Sequence, residues 1–292
     1  MSRKDKKTYP LCFLIPAMAI YFVFFIFPSL SGMFYAFTDW NSRSIHTYHF
    51  VWLDNFKSIF SNGDLKLALF NTFFFAVVTV VLKNVVGLGL ALLANNKAML
   101  SKSYMRGVFY MPNFLNMVII GVMFTAILYP TGPLNAMLKV FGIQGMDWLN
   151  DRRIAMFSVC LVEVWRTAGF HMIIYLSALK SIPSEYFEAA RVDGAGYFAC
   201  LRHIILPLIL QGITINLIFA IINGLKVFDQ VYILTNGGPG NATQVVSTTI
   251  YKMFGNGLWG MGTAYNLVLT VFILLVCGGV LAFMGRKEVD YN

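Results

Sequence analysis

Long apolar runs alternate along the chain with short polar connections. Runs long enough to cross a hydrocarbon layer of roughly 30 Å, about 20 residues each, fall at 11–37, 71–93, 107–128, 154–179, 208–226 and 264–283. Six membrane-spanning helices, and so an all-α polytopic protein, are predicted. The connection 181–207 departs from the others because it is charged and reads PSEYFEAARVDGAGYFACLRHIILP from Pro183 to Pro207. Pro183 has the fixed φ of a first helical residue, Ile182 before it is pushed out of the helical region, and Glu185 and Glu188 sit where the positive helix start favours acid. A short helix is expected from Pro183 to about Val192. Gly194 and Gly196 suit the left-handed conformation that ends a helix, and Tyr197, Leu201, Ile204 and Ile205 restart an apolar face at helical spacing. Ala189 and Ala190 form a small-residue patch on the first of these helices, which would let another protein's surface approach closely.

Composition places the chain in the membrane. Of its 292 residues 58% are hydrophobic and only 12% charged, which excludes a soluble globular reading. The first run has a basic start, but its apolar stretch is too long for a signal-peptide core and no small-residue cleavage site follows, so an uncleaved span is expected. Lysine and arginine set the orientation. Arg3, Lys4, Lys6, Lys7, Lys97, Lys102, Arg106, Lys180, Arg191, Arg202, Arg286 and Lys287 share one side, and the smaller set Arg43, Lys57, Lys66, Lys139, Arg152, Arg153 and Lys252 the other. Both termini and the 181–207 loop are therefore expected in the cytoplasm. The net charge of +9 fits a positive-inside membrane protein and needs no nucleic-acid partner. Cys12, Cys160, Cys200 and Cys277 lie in or beside apolar runs without metal-ligand or CxxC spacing and read as packing residues.

Polar groups inside the spans are the candidates for function. The first run is interrupted by Pro16 and Pro28. In the second, Lys83 and Asn84 lie among Val and Leu; a buried partner, either a backbone carbonyl or an acid, is expected for Lys83, and Gly87 and Gly89 mark a close helix contact. In the fourth, Glu163 and Arg166 are three apart and can pair on one face, so that removing Arg166 is expected to strand the acid. Trp165, Arg166 and Phe170 would line a polar, aromatic cavity of the sort that suits sugars. On the fifth, Asn216, Asn223 and Lys226 fall on one stripe, and Asn223 with Lys226 would line the same path from its other side. Residues 229–243 are too rich in glycine to continue a helix and must lie against protein or a water-filled cavity. Residues 134–153 read as an outer loop with a short helix and Trp148 as an anchor.

The spacing Glu188-Ala189-Ala190, Gly194, Ile204, Leu206-Pro207 resembles, without departure, the signature loop of membrane subunits of binding-protein-dependent ABC importers. Phe228-Asp229 and Leu234-Thr235-Asn236-Gly237-Gly238-Pro239 are similar to a segment of maltose- and glycerol-phosphate-type permeases, and Trp52 to Phe56 resembles a phrase common in sugar-importer permeases. The resemblance covers nearly the whole chain, from a permease core at about 70–284 to the loop 181–207 within a single domain, 1–292. It implies an importer subunit in the bacterial plasma (inner) membrane for a sugar or sugar-like solute. In that family the loop is a coupling helix docked on an ATPase, which implies this role for Tyr186, Glu188, Ala189, Ala190, Asp193 and Gly194. It further implies a second homologous permease, two ATPase subunits that use ATP and magnesium, an external solute-binding protein, and no cofactor in this chain. The large outer domain and extra N-terminal helices of some relatives are absent, so a minimal six-helix core is expected.

No GxxxxGK[ST] loop is present, so ATP hydrolysis by that route falls to a partner. A secondary carrier for a small polar solute is the alternative; it would call for an internal repeat and paired membrane acids, whereas Glu163 is the one acid within the predicted spans. No HExxH or GxSxG motif points to a membrane enzyme.

Overall fold

The computed structural model describes residues 14–61, 63–95 and 102–285. The expectations placed on Arg3, Lys4, Lys6, Lys7, Cys12, Lys97, Arg286 and Lys287 lie outside these residues, as does the start of the first run. The described residues are helical, with a single antiparallel bridge between Thr38 and Phe50. Chain contacts divide them into two compact units, Met1–Ser61 with Ile250–Val268, and Asn62–Thr249 with Leu269–Asn292.

In the first unit, α1 (Ile15–Tyr35) is lined with exposed Phe and aliphatic side chains. The two prolines do not break it. Pro16 falls in the first turn, where its missing N–H costs nothing. Ahead of Pro28 the turn widens, with the Phe27 N–H donating to the Phe22 carbonyl, and the helix continues. After α1, Asn55 on α2 (Asp54–Ser61) donates to the carbonyls of Ala36 and Thr38. Trp40 packs on Trp259, with ring centroids 4.7 Å apart. Asp39 accepts the His49 main-chain N–H at 2.6 Å, which holds its carboxyl below the usual range.

The second unit is built on α3 (Gly63–Asn95), α7 (Ala155–Lys180) and α10 (Leu210–Leu225). At 33 residues α3 is about 50 Å long, well beyond a bilayer's apolar thickness. Small residues bring these helices together: a Cβ on Gly224 would stand 2.9 Å from the Ala76 Cα, and one on Gly212 2.6 Å from the Ala178 Cβ. The α7 helix is the most enclosed, with Val159, Cys160, Met172 and Tyr175 buried. Cys160 is thus a packing residue.

Two predicted spans are bent. The third run is not one helix from Gly107 onward: α4 (Lys102–Tyr110) passes into a tight turn at Met111–Phe114, and α5 (Met117–Ile127) departs at 98°. Pro112 removes a backbone donor, and Asn116 caps the new helix by accepting from the Val118 N–H. The fifth run begins at Leu210, and α9 (Tyr197–Leu208) meets α10 at 71°. Again a proline follows a widened turn, in which the Leu206 N–H reaches the Leu201 carbonyl just before Pro207. With α13 (Trp259–Gly285), four helices among the described residues are individually long and apolar enough to cross a membrane, and the number is six where each bent pair counts as one span.

The connection after α5 carries α6 (Pro133–Val140), whose buried Asn135 accepts from the Trp148 indole and donates to the Met146 carbonyl. Trp148 is therefore tied to the protein. The glycine-rich segment differs from expectation at its start, since α11 (Asp229–Leu234) is helical before the chain turns. The turn lies against protein: the Thr243 hydroxyl donates to the Gly238 carbonyl, and the Asn71 amide donates to the Gln244 carbonyl. Helix α12 (Val246–Gly255) follows, with the Val246 N–H donating to Thr72.

Candidate functional site

The polar centre of the second unit is Glu163 on α7, 3% exposed. Three side chains from three helices converge on its carboxylate. Lys83 Nζ, on α3 and itself 1% exposed, stands 2.7 Å from Oε1. Arg166, one turn along α7, donates from Nε to Oε2 at 3.0 Å, and Gln230 Nε2, on α11, donates to the same oxygen at 2.6 Å. The expected partner of Lys83 is thus an acid 80 residues away. The expectation that Arg166 alone holds Glu163 is corrected, because Lys83 and Gln230 share it. A carboxylate with a cationic donor on each oxygen and a neutral one added on Oε2 is a satisfied buried ion.

One side of this cluster opens on a cavity of about 340 Å³. Arg166, Thr167 and Phe170 face it from α7, Asn223 and Lys226 from the end of α10, Asp229 and Gln230 from α11, and Asn113 from the turn after α4. The i, i+3, i+4, i+7 spacing of 163, 166, 167 and 170 puts those α7 side chains on one face. Asn223, Lys226 and Asp229 are exposed there. The wall therefore offers hydrogen-bond donors, acceptors and charges of both signs around an aromatic ring.

Trp165 lies elsewhere. Two residues from Glu163, it points to another face of α7, meets Phe124 edge-on at 5.0 Å and lines a separate apolar cavity with Val86, Pro112 and Met123. Asn216 also leaves the expected stripe: fully buried, it pairs with His171 Nδ1 at 2.8 Å and donates to the His171 carbonyl. Asn84 accepts from the Tyr175 hydroxyl. Sequence reasoning missed Asn113 and Gln230. Nothing local marks Gln230, whose partner is 67 residues earlier; its one signal is its place beside Asp229 in a segment already singled out.

In the loop 181–207, α8 spans Ser184–Val192 with Pro183 as its cap rather than its first residue. Gly194 closes it at φ +72°, with the Ala195 N–H donating to the Ala190 carbonyl and the Gly194 N–H to that of Arg191. Gly196 takes an extended conformation instead. Tyr186, Glu188, Ala189, Asp193 and Gly194 are exposed, whereas Ala190 is buried, so the expected small-residue patch is open at Ala189 alone. Phe187 packs into a cluster with Leu179, Ile182 and Ile205, which anchors the helix to the bundle.

A family model described as "binding-protein-dependent transport system inner membrane component" matches residues 83–286. The trehalose/maltose transport system permease protein of Thermococcus litoralis is 30% identical over 262 residues, covering 89% of this chain and 88% of its own length. The multiple sugar-binding transport system permease protein of Streptococcus mutans is 31% identical over 267 residues, covering 90% and 91%. Among solved structures, a chain of the bacterial alginate ABC transporter, crystallised with an alginate pentasaccharide-bound periplasmic protein, shares the fold with a TM-score of 0.82 at 24% identity, covering 95% of this chain and 94% of that one.

Proposed function

The chain belongs to the binding-protein-dependent transport system inner membrane components, and from that premise we propose that it forms half of the path by which a sugar, in particular an oligosaccharide, is imported. It is a multi-pass membrane subunit of an ABC importer, not an ATPase, and works with partner subunits. In the proposed assembly these are a second homologous permease, two ATPase subunits that use ATP with magnesium, and an external solute-binding protein, with both termini in the cytoplasm. The loop 181–207 couples the path to an ATPase through Tyr186, Glu188, Ala189, Ala190, Asp193 and Gly194, of which all but Ala190 are exposed.

The observation that carries the substrate reading is the cavity beside Glu163. Arg166, Asn223, Lys226 and Asp229 surround it with donors and acceptors, and Phe170 supplies an aromatic ring. Saccharides need this combination, since hydroxyls exchange hydrogen bonds with water for those of the wall and C–H faces lie on rings. The names borne by the relatives above support the same class. Growth of a deletion strain on a panel of carbon sources tests it: loss of growth on one saccharide, restored by the gene, is expected, and undiminished growth on every saccharide with failure on another solute class overturns it.

A further inference from the structure

Glu163 has more partners than neutrality requires. Lys83 on Oε1 balances the carboxylate by itself, and Gln230 occupies Oε2 alongside Arg166. The two cations differ in their surroundings. Both border the cavity, but the Lys83 side chain is 1% exposed whereas the Arg166 side chain is 23% exposed. If Arg166 leaves, Glu163 keeps a counter-ion and a hydrogen bond; the Lys83 ammonium, though beside the same cavity, is almost wholly covered and has far less room to swing into it. An ion pair is costly to break where it strands a buried charge, and here neither partner is stranded, because the guanidinium moves toward the open side. Its planar fork of five donors suits adjacent hydroxyl oxygens.

We infer that Arg166 is a releasable solute-contact residue, parked on Glu163 when the cavity holds only water and transferred to the solute during passage, and that Lys83 is the positioning residue that permits this by neutralising Glu163 in its place. The inference rests on the cavity being part of the solute path.

The test uses the whole importer in proteoliposomes and, as probe, the radiolabelled saccharide that the growth panel selects. Lys83→Gln leaves Arg166 as the sole cation on Glu163 and locks it there, so transport is expected to fall about tenfold or more, the scale of one charge-assisted hydrogen bond, in a complex that still assembles. Lys83→Gln with Glu163→Gln removes the lock, and transport is expected to recover several-fold above the single variant. A purely structural role for Lys83 would lower transport and the unfolding temperature together in Lys83→Gln, whereas the lock lowers transport at a wild-type unfolding temperature. Wild-type transport by Lys83→Gln, its failure to assemble, or no recovery in an assembled double variant each overturns the inference. A second arm needs no solute and decides the matter if the double variant does not assemble. Arg166→Gln alone should keep the wild-type unfolding temperature of the complex, and should lower it sharply when added to Lys83→Gln; destabilisation by Arg166→Gln alone overturns the inference. Asn223→Ala separates this from failure of the path itself. Full transport by both Asn223→Ala and Arg166→Gln removes the cavity from the path, whereas full transport by Arg166→Gln with loss in Asn223→Ala rejects only the role of Arg166.

Discussion

Gly87 on α3 faces His171 on α7 so closely that a Cβ built on the glycine would stand 2.8 Å from the His171 Cβ. Neither backbone can yield without parting the two helices that carry Lys83 and Glu163. Gly87→Leu should therefore reduce the yield of assembled complex and lower its unfolding temperature, on the scale of about 1–3 kcal/mol typical of overpacking. Gly89, two residues on, has nothing within 4 Å of such a Cβ, and Gly89→Leu should leave stability unchanged. Thermal unfolding of the two variants side by side checks the contrast.

Asn223 is exposed in the cavity. Asn223→Ala should reduce saccharide transport while leaving assembly intact, because losing one or two hydrogen bonds to a hydroxyl costs roughly 1–3 kcal/mol. Transport by the reconstituted complex with saturating solute-binding protein is the measurement. Wild-type rates of both transport and basal ATP hydrolysis would assign this end of α10 to another surface.

At φ +72° Gly194 sits in the left-handed region that closes α8. Gly194→Asp adds about 1 kcal/mol of local strain and a charge at the exposed end of the loop, with nothing nearby to clash. The subunit should still insert, yet the number of ATP molecules hydrolysed per solute transported should rise. An unchanged ratio would remove the coupling role from this loop.

The distribution of lysine and arginine makes a prediction about sidedness. Reporter fusions at Ser101 and after Asn292 should report the cytoplasm, and one at Asn241 the outside. An outside signal from the C-terminal fusion would overturn the six-span orientation.

Hydropathy and spacing suffice to read the class of this protein, the six apolar runs and the helix–turn–helix of the 181–207 loop, because membrane spans and helix ends are local: a run of about 20 apolar residues, a proline and a left-handed glycine act on their own neighbourhood. The Glu163–Arg166 pair was legible for the same reason, being three residues apart on one helix. What lies across the fold was not. Lys83 and Gln230 reach Glu163 from 80 and 67 residues away, and no pattern in either segment specifies that meeting. The periodicity that put Trp165 beside Arg166, and Asn216 in line with Asn223, gives a direction around each helix axis but not which neighbour fills it. Packing sends Trp165 to an apolar cavity and buries Asn216 on His171. The bends at Pro112 and Pro207 were likewise open until neighbouring helices fixed them, since a proline removes a backbone hydrogen bond but does not dictate where the chain turns next. The sequence by itself thus determined the segments and their chemistry; the tertiary structure decided which charges share one carboxylate, because that depends on three helices meeting at a single depth.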